Sequence, residues 1–149
     1  MAQLRLAITS RFELVVIAVV AGMAVLAMLA TEAQSERLAM TLAIRNMRTG
    51  LQLAMAEKLM RGEDKSIADL AETNPLELIG QPDGGEIGAR GDWKFDAERH
   101  ELVYRPNISM AFGGSSELRW HIAGIPGPNG RVTGLRLLEV GPSAARQIQ

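Results

Sequence analysis

The chain has 149 residues, 16 of them Lys or Arg and 17 Asp or Glu, with no cysteine, 47% hydrophobic residues and 4% aromatic. That length accommodates one domain, or one small domain with an appendage. A formal net charge of -1 argues against a nucleic-acid partner, because phosphate recognition needs a basic surface, and the lack of cysteine excludes disulfides and thiolate metal sites.

Residues 14–30 (LVVIAVVAGMAVLAMLA) are 17 consecutive positions without a charge. As a helix they span roughly 25 Å, close to the apolar thickness of a bilayer. Arg5 and Arg11 precede the run while Glu32 and Glu36 follow it, so the positive-inside bias predicts a single-pass anchor with a cytoplasmic N-terminus and its domain on the far side of the membrane. Membrane lipid is then the first expected partner. A cleaved secretory signal is the competing reading, but Met28 and Ala30, before a cut at Thr31, are not a small-x-small pair. Glu13 stands at the edge of the run, where a carboxylate must be neutralised, paired or held at the interface. Either it reaches the headgroups beside Arg11 or it pairs with a neighbouring chain, and spacing alone leaves both open.

Residues 31–61 contain no proline and are rich in helix formers. Met40, Ile44, Met47, Leu51, Met55 and Leu59 recur at steps of 4, 3, 4, 4 and 4, one face of a helix. Gly62 is placed to cap its end, with Arg61 in the last turn. Unbroken from about Ser10, such a helix has some 52 residues and runs on the order of 78 Å. The stripe reads as core packing against the chain's own sheet. Gly22 and Gly50 are positions for close approach or local bending.

From Gly62 onward the composition changes, with 13 of the 15 glycines and all six prolines. Ser66 is expected to cap a short helix through Glu72, stopped by Asn74-Pro75, and 80–91 (GQPDGGEIGARG) reads as loop. Residues 92–96 alternate with Trp93 and Phe95 on one face, 97–100 turn the chain, and 101–105 carry Leu102 and Tyr104. Residues 117–123 align Leu118, Trp120 and Ile122 against Arg119 and His121, 124–130 form a turn, and 131–140 align Leu135 and Leu137. About four antiparallel strands with one apolar face need a cover, which the Met40 to Leu59 stripe supplies. The expected fold is α+β: a cytoplasmic leader-like segment (1–11), a transmembrane helix (12–31), an amphipathic helix (32–62) and a globular domain with an antiparallel sheet (63–149).

A spanning helix continuing as an amphipathic spine under a small antiparallel sheet resembles the type IV pilin and pseudopilin class. The local match is 13–22 (ELVVIAVVAG), which is similar to the apolar segment after the family's leader site, with Glu13 at the signature glutamate. Trp93-x-Phe-Asp, Glu101-Leu-Val-Tyr-x-Pro-Asn and Leu118-Arg-Trp-His-Ile are similar to the pseudopilin sheet. The resemblance implies a structural subunit, a minor member, assembling through its N-terminal helix into a type II secretion pseudopilus or type IV pilus. Other pilin-like subunits and inner-membrane assembly proteins are the implied partners, and the domain is periplasmic or in an extracellular filament. It further implies a processing junction between Ile8 and Thr9, where cleavage and N-methylation by a prepilin peptidase would occur. The chain departs from the family in having no glycine before Gly22, and its phenylalanine, Phe12, directly precedes Glu13. In the family the glutamate neutralises the amino terminus of an adjacent subunit; with 1–8 attached, Arg11 of a neighbour is the substitute. Leu14 and Gly22 belong to the packing face. The alternative is a single-pass inner-membrane protein whose external domain binds a partner without entering a filament.

Nothing points to an enzyme or a small-molecule substrate. His100 and His121 lack clustered partners and read as surface histidines. Ser115-Ser116 lacks a strand-nucleophile-helix setting. Asp83, Glu86 and Asp92 are the candidate calcium carboxylates, since some pseudopilins bind calcium, but their spacing matches no calcium loop and no cofactor is expected. Arg90-Gly91-Asp92 reads as loop.

Overall fold

In the computed structural model, residues 2–86 and 91–141 are described, the side chains of 2–10, Asp64 and Glu86 excepted. One helix, α1 (Ala2–Met60), is followed by short 3-10 turns and five strands: β1 (Gly85–Glu86), β2 (Asp92–Asp96), β3 (Glu101–Arg105), β4 (Leu118–Pro126) and β5 (Val132–Glu139). The strands form one antiparallel sheet in sequential order β1-β2-β3-β4-β5. The α+β arrangement of a long N-terminal helix on an antiparallel sheet is therefore present, with the two-residue β1 added at an edge that the sequence reads as loop. The chain divides into two compact units, 1–35 and 36–149.

In the second unit, the helix contributes Ala43, Ile44, Met47 and Leu51 to a core shared with Trp93, Leu102, Tyr104, Trp120, Ile122, Leu135 and Leu137. Strands β2 to β5 place alternate residues on this face, as a pleat requires. Trp93 is the hub, its ring centroid 4.6 Å from Tyr104 and 5.7 Å from Trp120. Leu59, expected on the buried stripe, is exposed. At 100° per residue, three successive steps of four from Met47 rotate about 120° off the face, so Met55 is half-buried and Leu59 leaves the core.

The helix ends as its sequence predicts. Gly62 takes φ 73, and the pair Gly62 N to Leu59 O and Glu63 N to Lys58 O is a Schellman closure that satisfies the last carbonyls. Ser66 does not cap the next segment. Its hydroxyl donates back to Glu63 O at 2.9 Å, so Ala68–Glu72 starts without a side-chain cap and remains 3-10. Asn74 stops it by accepting from Leu76 N through Oδ1 at 3.0 Å and donating to Pro82 O through Nδ2 at 2.9 Å. Gly50 fits beneath Leu78, since a Cβ there would stand 2.9 Å from Leu78 Cβ and O. Close approach, not bending, is its use.

The β2–β3 turn is an Asx turn in which Asp96 Oδ1 accepts from Glu98 N and Arg99 N at 3.2 and 3.3 Å. His100 closes it at φ 52. β4 runs three residues further than the expected 117–123, so the turn narrows to Gly127–Arg131, where Gly127 N donates to Arg131 O at 2.7 Å.

Candidate functional site

Three features carry chemistry that packing alone does not explain. The first is the apolar run. Every residue from 14 to 30 is exposed, and the helix is long and apolar enough to cross a membrane. Arg11, Phe12, Glu13 and Leu14 stand exposed at its start, and a Cβ added to Gly22 would meet nothing within 4 Å. Arg11 and Glu13 are two residues apart, a spacing that puts side chains on different sides of a helix. Glu13 therefore lacks a same-face cation at Arg11 of its own chain. The junction at Ile8 and Thr9 lies outside the residues described with side chains, as do Glu86 and Arg90.

The second is Glu36, which is 2% exposed and the one buried charged residue among those described. Its Oε1 accepts from the Tyr104 hydroxyl at 3.1 Å and from Asn107 N at 2.7 Å, and its Oε2 accepts from Ile108 N at 3.1 Å. The neighbouring Arg37 donates through Nε to Ala111 O. The carboxylate thus ties the helix to the end of β3 and to the loop that follows, satisfying two backbone N–H groups. Burial, then the hydrogen bond to Glu36, push the Tyr104 phenol far above the usual tyrosine range. The sequence places Glu36 only among the charged flank of the membrane run. Its signal was spacing: Glu36 lies four residues before Met40 and eight before Ile44, a carboxylate on the apolar stripe itself.

The third is the sheet face away from the helix. Arg119 on β4 donates through Nη1 to Glu101 Oε2 at 3.0 Å and through Nη2 to Glu117 Oε2 at 2.9 Å. Arg105 on β3 reaches Glu117 Oε1 through Nε at 2.8 Å, and Asp96 stands 3.9 Å from Arg119 Nη1. The hydrogen bonds from Arg105, then Arg119, hold the Glu117 carboxyl below its ordinary range, while Glu101 and Glu117 hold the Arg119 guanidinium above its own. Such a face is polar and internally paired.

The histidines do not come together. His100 Nδ1 lies 3.3 Å from Glu72 O in the hairpin turn; His121 faces Glu101 across the sheet, its Nδ1 buried without a partner. Asp83 and Asp92 are exposed, and among the described residues no group of three or more His, Asp or Glu is placed to hold a metal ion. Ser115 and Ser116 are exposed in the loop before β4. No protein-family model, curated protein or solved structure matches this chain.

Proposed function

We propose that the protein is a non-enzymatic, membrane-anchored structural subunit of pilin-like type, serving a type II secretion pseudopilus or a type IV pilus in a minor role. The observation that carries this is residues 14–30, an uncharged and wholly exposed helical run on a chain whose remaining residues have a core of their own. Apolar surface of that extent needs lipid or the helices of other subunits around it. The N-terminus is cytoplasmic and the sheet domain lies on the periplasmic side or in a filament. Glu13 sets the axial register, because a carboxylate in an apolar bundle costs several kcal/mol unless a cation meets it.

The test is Glu13→Ala in the producing cell. Incorporation into filaments, or the secretion that depends on them, is expected to be lost while the full-length protein accumulates in the membrane at normal level. Unchanged assembly would remove the register role and leave the anchored, partner-binding protein as the better reading; substitutions on the outer sheet face, at Arg105 or Arg119, would then be the ones that abolish function.

A further inference from the structure

β5 closes one side of the sheet with β4 as its single neighbour. The opposite edge is the two-residue β1, too short to template a further strand. In an antiparallel pair the amide and carbonyl of a residue point to the same side, and successive residues alternate. Val140 N donates to Arg119 O on β4 at 2.7 Å, and the register of β4 with β5 runs without a shift from Gly134 to Glu139. Gly134, Arg136 and Leu138 therefore bond to β4, while Leu135, Leu137 and Glu139 turn their amides and carbonyls to the open edge. The one partner there among the described residues is Arg48 of α1, whose Nη2 donates to Leu137 O at 3.4 Å. The N–H groups of Leu135, Leu137 and Glu139 form a row of free donors, one at every second residue.

A groove of about 400 Å3 follows this edge, with Leu51, Leu135 and Leu137 as its apolar wall and Arg48 and Arg136 as its charges. Both arginines are exposed, and no carboxylate among the described residues pairs with either. Glu139, three residues from Arg136, projects from the other face of the strand.

These charges decide what can add to the edge. Cations are a common guard against edge-to-edge pairing. A second copy laid β5 on β5 brings two Arg48 and two Arg136 onto one short ladder, where facing like charges are destabilising. Residues 142–149 carry Arg146, a further cation, and the pair Ala144-Ala145, a residue type depleted in strands. A strand bearing carboxylates meets the guanidinium groups with charge-assisted hydrogen bonds instead.

We propose that the β5 edge is a strand-addition site for an extended, acidic segment of another protein, its main chain on Leu135, Leu137 and Glu139 and its carboxylates on Arg48 and Arg136. The site lies wholly within residues 36–149, so it stands whether or not residues 14–30 enter a filament.

The probes are extended peptides of about seven residues: one alternating Val with Glu, one alternating Val with Lys, and the Val/Glu peptide N-methylated throughout. Each is added to the full chain in detergent micelles, and amide hydrogen exchange is followed residue by residue. Leu135, Leu137 and Glu139 are expected to exchange fast in the free protein and at least about tenfold more slowly with the Val/Glu peptide, and to be unaffected by the other two. Arg136→Glu, at an exposed position, should transfer the protection to the Val/Lys peptide while exchange in the β2 and β3 pair stays unchanged. Slow exchange of the three amides in the free protein overturns the proposal, because a second copy or residues 142–149 then already cover the edge. Binding without their protection, or equal binding of the N-methylated peptide, overturns it by reducing the contact to charge attraction. No protection at millimolar Val/Glu peptide overturns it too and leaves the arginines as guards of the edge.

Discussion

Glu36 is the residue on which the second unit's geometry turns. A carboxylate taken out of water costs several kcal/mol unless it is fully hydrogen-bonded, and here three donors meet it. Glu36→Ala strips two backbone N–H groups and a phenol of their acceptor at once. At about 1 to 3 kcal/mol for each orphaned group, partly relieved by water, the expected loss is about 3 kcal/mol, read by denaturant unfolding of the full chain in detergent micelles. An unchanged midpoint would mean that water reaches the site freely. Tyr104 gives the same contact a pH signature. Its folded pKa is raised, first by burial and then by Glu36, so its contribution to stability is complete below the unfolded tyrosine value of about 10 and declines as pH rises past it. Tyr104 is the chain's single tyrosine, so tyrosinate absorbance reports it alone. That absorbance is expected to appear together with unfolding; tyrosinate forming in a protein with intact near-ultraviolet dichroism would contradict the burial.

Elements with their own period were legible, and those made by tertiary contact were not. β2 and β3 stand at 92–96 and 101–105 as alternation placed them, because an inward aromatic every second residue has one way to be buried. The Schellman end at Gly62 was legible for the same kind of reason, a local glycine signal. β1 was not: two residues have no period, and Gly85 pairs with Trp93 because Gly84, at φ 75, lets the chain pass close against the Trp93 carbonyl. Ser109–Phe112 was equally silent, being held by Glu36 and Arg37 from far along the chain. Within the site, the apolar run was readable from its uncharged length, whereas Glu36 was lost by treating the stripe as beginning at Met40. On β4 the alternation makes a direct prediction. Trp120, 4% exposed, packs on Trp93, so Trp120→Ala is expected to cost about 3 to 5 kcal/mol. His121→Ala, one residue on and facing away, should cost far less; equal losses would put the strand's faces in the wrong sense.

For the chain as a whole, the balance of buried and exposed apolar surface separates two jobs. The second unit encloses its aromatic cluster, while residues 14–30 keep theirs outside, and a chain that does both in water aggregates unless lipid or neighbouring helices take up the run. In the proposed assembly, packing several such helices would bring their Glu13 side chains into one apolar layer, so the cation that meets them would decide how copies stack. Two sources are available. A chain trimmed at Thr9 offers its new amino terminus, four residues from Glu13 and so on the same helical face; an untrimmed chain offers Arg11, which cannot share a face with its own Glu13 and must reach a neighbour's. The absence of any glycine before Gly22 favours the untrimmed chain. Intact-mass and N-terminal peptide measurements on protein from native membranes are therefore expected to find residues 1–8 attached, and Arg11→Ala should then reproduce the assembly defect of Glu13→Ala. Exchanging the two charges, Arg11→Glu with Glu13→Arg, should restore incorporation among copies that all carry the exchange. A methylated terminus at Thr9 would transfer the partner role to the amine and make Arg11→Ala silent, and a cut at Thr31 would remove the helix, and with it the proposed assembly.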